Sequence, residues 1–172
     1  MLIRSRHPEL DTRAVARALA GLPAPGAYEV IVQPLRYRTA PHLAAFTIFE
    51  DRTMTLQVPE PFHPFGEIVH YGAKRTAAKG LKFVPLSEGV TFRSRDEVLR
   101  FLYCHEWYHW WLYETTGKGV NAEIACDRFA LWNFRRRAVT LEDARAAFRR
   151  EPPAKRVAGP RQPRIRQPKL AL

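Results

Sequence analysis

Two histidines with a glutamate between them constrain this chain more than any other feature. Residues 101–110 read Phe-Leu-Tyr-Cys-His-Glu-Trp-Tyr-His-Trp, which contains His105-Glu106-x-x-His109. At roughly 100° per residue, histidines four apart lie about 40° from each other on one helical face. Both imidazoles then reach one tetrahedral metal ion, with zinc the usual occupant. Glu106 projects to the side of the pair, where it can take a proton from a metal-bound water. The spacing has this chemical meaning only on a helix. At this composition the string arises by chance about one time in a hundred, so its context must carry the argument.

The context is helical. Ser94-Arg95-Asp96-Glu97 reads as a capping box, and Gly117 after Tyr113-Glu114-Thr115-Thr116 suits a left-handed stop. Val98, Phe101, Leu102, Tyr108 and Leu112 fall within about 80° of the mean histidine direction. The histidines therefore sit in an apolar face. Tyr103, Trp107, Trp110 and Trp111 make the opposite face apolar too, so the helix is expected to be buried between a sheet and another helix.

A tetrahedral protein site needs a third ligand. No histidine follows His109, which leaves Glu114, Glu123, Cys126, Asp127, Glu142, Asp143 and Glu151 on that side. Glu114 is too close along the same helix to fold back over a metal. Glu123 and Asp127 open a second helical pattern, four apart on one face. One of these carboxylates can complete the site while the other hydrogen-bonds a ligating imidazole. Cys104 points about 100° away from His105; it and Cys126 are read as buried free thiols.

His105-Glu106-x-x-His109 followed by Glu123-x-x-x-Asp127 resembles the gluzincin metallopeptidases. The string Glu123-x-x-Cys126-Asp127-x-Phe129-Ala130 is most similar to the ImmA/IrrE family of small intracellular zinc peptidases. The likeness covers roughly residues 94–136 and departs from the family at Trp107, Tyr108 and Cys126. It implies a zincin-like fold, one Zn2+ on His105, His109 and Glu123, Glu106 as general base, and Asp127 behind a ligating histidine. It also implies an edge strand beside the metal helix that pairs with extended substrate, a role assigned to 67–71 or 54–58. His70, Tyr71 and Tyr113 are then the candidates for stabilising the oxyanion.

The remaining chain supplies a frame for that site. Residues 8–21 read as a helix with Asp11 and Thr12 near its start, broken by Gly21-Leu22-Pro23. Residues 28–33 and 35–37, then 43–49 and 54–58, read as strands, the last two joined by a turn at Glu50-Asp51-Arg52. Residues 67–71 form a short strand ended by Gly72, and 81–84 another, around a basic loop with Lys74, Arg75 and Lys79. A third helix starts at Thr140 with Glu142 and Asp143 in its first turn. Strands first and helices after give the fold class α+β, with a small, mostly antiparallel sheet. His7, His42 and His63 have no evident partner.

Length places 1–151 in one domain, with 152–172 as a flexible, basic, proline-rich tail. The tail holds six basic residues and no acid, more than half of the chain's net charge of +11. Such a tail can engage an acidic protein or nucleic acid. It lacks interleaved aromatics for base stacking. Two cysteines do not form a disulfide framework, the first residues lack an apolar signal region, and no apolar run reaches membrane-spanning length. A cytoplasmic location and no membrane partner are the expectations. The expected function is a zinc-dependent endopeptidase acting on an intracellular protein or peptide substrate. The competing reading is a zincin-like binding or regulatory scaffold with a structural or vestigial metal. The intact Glu106 favours the enzyme, because a structural site needs no base.

Overall fold

The structure is a computed structural model that describes residues 1–76, 82–117 and 122–152. Its longest helix is the one that carries the motif. In α2 (Arg95–Thr116) the Ser94 hydroxyl accepts the Glu97 backbone N–H at 3.2 Å. The Glu97 carboxylate reaches back one residue further than a regular box, to the N–H of Arg93 at 2.7 Å. Gly117 ends the helix at φ 67°, its N–H bonded to the Tyr113 carbonyl. These orphan backbone groups are satisfied by residues adjacent in sequence, which is why the boundaries were readable.

Burial of α2 extends round most of its circumference. It packs on β3 (Ala44–Ile48), on β4 (Thr53–Pro59) and on α3 (Glu123–Asn133). Of the bulky aromatics, Tyr103, Trp107 and Tyr108 are core, and Trp110 and Trp111 are partly buried against it. Trp107 and Tyr108 are fully buried and both stack on Phe129 of α3. Their polar tips are paired: Tyr103 donates to the Pro23 carbonyl, Trp107 to Ala24 and Tyr108 to Ala144. Each ring therefore gains its apolar burial without an unmade hydrogen bond.

The main sheet has the order β1-β2-β4-β3, with β1 (Leu2–Ser5) and β2 (Glu29–Leu35) on its far side. β1–β2 and β2–β4 are parallel, and only β3–β4 is antiparallel. The sheet is mixed, which corrects the expectation of a mostly antiparallel one. Sequence alternation reports which faces are buried but not the direction of a neighbour. The turn at 50–52 does form the β3–β4 hairpin, with Arg52 at φ 52° and Ile48 opposite Thr53. Val30, Val32, Leu56 and Val58 join the core shared with α2.

The first helix, α1 (Thr12–Ala18), is shorter than 8–21, with Asp11 accepting the Ala14 N–H at 2.7 Å. Gly21 behind it is held at φ 80°, and a Cβ there would lie 2.1 Å from the Arg137 backbone oxygen. Residues 67–71 and 82–84 prove to be parts of one long antiparallel hairpin, β5 (Phe65–Thr76) with β6 (Lys82–Phe92), while residue 81 lies outside the described residues. Gly72 does not end the strand. The ladder shifts register between His70 and Gly72 and then resumes, so the glycine follows a bulge. β5 packs on α3.

Thr140 and Asp143 form a complete capping box on α4 (Leu141–Phe148). Arg100 of α2 ties the helices together. Its guanidinium donates to the carbonyls of Ala18, Ala20, Phe134 and Arg136, at the ends of α1 and α3. The result is α+β with small mixed sheets. No described helix is long and apolar enough to cross a membrane. Lys74 and Arg75, expected in a basic loop, lie in β5 opposite Val84 and Phe83, because the strand continues past the bulge; Lys79 and tail residues 153–172 lie outside the described residues.

Candidate metal centre

Helical spacing brings the two histidines of α2 together as expected. His105 Nε2 and His109 Nε2 are 3.1 Å apart. The first residue of α3, Glu123, covers them: one carboxylate oxygen lies 3.2 Å from His105 Nε2 and the other 3.3 Å from His109 Nε2. One turn on, Asp127 accepts the His105 Nδ1–H at 2.9 Å. That bond turns the imidazole so that Nε2 faces Glu123 and His109. Glu123 and Asp127 are four apart and α3 packs on α2, so both acids reach the same histidine.

Charge follows this geometry. Burial opposes a proton on His105, but the hydrogen bonds it donates to Asp127 and Glu123 and the charge of Glu106 outweigh it, raising its pKa to about 9. Glu123 is held below the ordinary carboxylate value, chiefly by its hydrogen bond with His105. Glu106 is 5% exposed, and burial pushes its carboxyl up despite the two histidines and a hydrogen bond from Thr47. That bond, Thr47 Oγ1–H to Oε2 at 2.7 Å, crosses from β3 to α2 and fixes the carboxyl group.

A cleft of about 240 Å3 opens over these groups. His105, Glu106, His109 and Glu123 form its floor and one wall, and Ala45, Phe46, Thr47 and Phe49 the other. The edge strand beside the histidines is therefore β3. This corrects the assignment to 54–58, which as β4 is paired on both sides, and to 67–71, which lies in the separate hairpin. Thr47 and β3 carried no distinguishing signal in the apolar run 43–49.

The oxyanion candidates are not gathered at this cleft. His70 shares a hydrogen bond with Ser87 on the hairpin, at 2.7 Å. Tyr71 lines a neighbouring cavity that Glu123 also borders. Tyr113 stacks on Phe49, whose ring lines the cleft, at 4.3 Å between centroids. None of the three is among the described residues that line the cleft over the histidines.

The donor atoms of His105, His109 and Cys126 lie within 4.8 Å of one another, near enough to hold one metal ion. Two third ligands thus compete, Cys126 and Glu123. Cys126 is fully buried and burial pushes its thiol up, away from the ligating thiolate. Glu123 is an ionised carboxylate already within 3.3 Å of both Nε2 atoms. Cys104 is likewise a buried free thiol. No family model matches the chain, and neither a curated protein nor a solved structure matches it.

Proposed function

We propose that the chain is a zinc-dependent metallopeptidase with a zincin-like arrangement of its helices, His105, His109 and Glu123 holding the ion. The observation that carries this reading is the spacing of the donor atoms. Zinc–nitrogen distances of 2.0–2.1 Å at tetrahedral angles separate ligand atoms by about 3.3 Å. The two Nε2 atoms here are 3.1 Å apart, with one Glu123 oxygen 3.2 Å from His105 and the other 3.3 Å from His109, so the carboxylate straddles the pair at about that spacing. Zinc, when bound, supplies a Lewis acid that polarises a carbonyl and lowers the pKa of water. The chain supplies the rest. Asp127 keeps His105 in the ligating tautomer. Glu106, with its pKa raised, takes a proton from the attacking water and passes it to the leaving nitrogen. Thr47 holds Glu106 in place. The outer edge of β3, without a partner strand among the described residues, can pair with the extended backbone of a peptide.

A specific observation favours a second reading. If Cys126 joined His105, His109 and Glu123, four protein donors would fill the tetrahedral set with no open position, making the metal structural and the chain a binding scaffold. Metal analysis of purified protein should find one zinc, lost in His105→Ala/His109→Ala. Cobalt replacement distinguishes the two sets, since a sulfur-to-metal absorption band reports Cys126. Glu106→Gln should keep the zinc and lose about 10²- to 10⁴-fold in cleavage of a peptide mixture. A Glu106→Gln variant that cleaves at the wild-type rate would sink the peptidase reading.

A further inference from the structure

A second cavity, of about 720 Å3, adjoins the metal centre, and Glu123 belongs to the walls of both. Arg128 and Trp132, four apart on α3, form one side, and Tyr71 and Leu86 of the hairpin another. Trp132 and Leu86 are apolar, but Arg128 is the unusual member. It is 9% exposed, a burial rare for arginine without a paired acid. Its Nη1 donates to the Tyr71 carbonyl at 3.2 Å, while Nε has no hydrogen-bond partner among the described residues. No carboxylate of the described residues forms an ion pair with it. A second cation, Arg150, lines the same cavity. Glu123 is the only acid among the described lining residues, and its oxygens are turned to the histidines.

The start of α3 adds to this positive field. Ala122 and Ile124 line the cavity, and Ala122 provides no side-chain cap for the first N–H groups of the helix. A buried guanidinium beside another cation and an uncapped helix start is costly when left alone. The arrangement becomes favourable when an anion enters.

We infer that this cavity is a subsite for an acidic residue of the peptide substrate, its carboxylate pairing with Arg128 and Arg150. An apolar neighbour of that residue packs on Trp132 and Leu86. The inference rests on the peptidase reading for the kind of ligand, and it adds the specificity. From Glu123 to Arg128 the helix rises about 7.5 Å. That is about two residues of extended chain, so the acid lies about two positions from the bond cleaved.

The test uses full-length, zinc-loaded protein at 150 mM salt as the chosen ionic strength. Binding is read by fluorescence anisotropy in the Glu106→Gln background, with fluorescein-labelled decapeptide mixtures that carry a fixed central Glu or Gln. Cleavage of both mixtures is measured with the wild-type chain. The Glu mixture should bind at least about tenfold tighter than its Gln twin, as expected for a charge-assisted pair. The preference should fall below about twofold in Arg128→Gln and in Arg150→Gln, with zinc content unchanged. Arg128 also ties the hairpin to α3, so the exposed Arg150 keeps the test valid if Arg128→Gln does not fold. Arg17→Gln on α1 controls for general charge and should keep the full preference. Equal binding of the two mixtures, or a preference that survives in Arg150→Gln and any folded Arg128→Gln, overturns the inference. Cleavage without an acidic preference overturns it and leaves the peptidase reading intact. An arginine-dependent preference in binding without wild-type cleavage supports the anionic subsite and removes the peptidase reading.

Discussion

Metal binding at this centre must displace a proton, and that makes its contribution to stability depend on pH. His105 has its pKa raised from 6.5 to about 9 in the metal-free chain, against the depressing effect of burial, by Asp127, Glu123 and Glu106. The metal-free fold therefore gains stability from this proton that is fully present below pH 6.5 and is lost as pH rises through about 9. Zinc needs the neutral imidazole, so apparent affinity should rise about tenfold per pH unit between pH 7 and 9 and then level off. At a fixed free zinc concentration well above the dissociation constant, that adds about 2 kcal/mol of metal-linked stability across the interval. For a domain of this size the added shift in Tm is about 4–8 °C. The assay is thermal unfolding with buffered zinc and with chelator, at pH 7 and pH 9. The gap between the two melting curves should widen with pH. A gap that is the same at both values, or absent, would refute the proton-displacing site. A gap that persists in His105→Ala/His109→Ala would place the metal elsewhere.

Two further substitutions test the frame around the site. Thr47→Val removes the hydroxyl that donates to Glu106 Oε2 at 2.7 Å. A hydrogen bond to a charged group is worth about 1.5–3 kcal/mol, so kcat/KM should fall about 10- to 100-fold with zinc content unchanged; an unchanged rate would show that Thr47 does not position Glu106. Arg100→Met keeps the apolar stem and removes the donors to four backbone carbonyls. Urea titration should show a loss of about 2–4 kcal/mol, and a change under about 0.5 kcal/mol would mean that water replaces the guanidinium without cost.

The elements legible in the sequence are those whose determinants are close along the chain. His105, Glu106 and His109 meet because four residues nearly complete a helical turn. Ser94, Gly117 and Thr140 bound their helices through groups within a few residues of themselves. Glu123 and Asp127 share a face for the same reason, so their joint approach to His105 needed only that α3 pack on α2. The turn at 50–52 set the register of β3 against β4. Tertiary structure decided what depends on pairing between distant segments. β1 and β2 lie parallel, and β4 pairs with β2 on one side and β3 on the other, leaving β3 at the edge. No local pattern encodes that order, and so Thr47 and the true edge strand were hidden within 43–49. Long-range pairing also set Trp107 and Tyr108 against Phe129, a partner that no local pattern names. It enclosed Arg128 between α3 and the hairpin. A helical arginine beside Asp127 reads as a solvated charge until a strand from residues 65–76 covers it, because burial belongs to the assembled surfaces and not to the segment that carries the side chain.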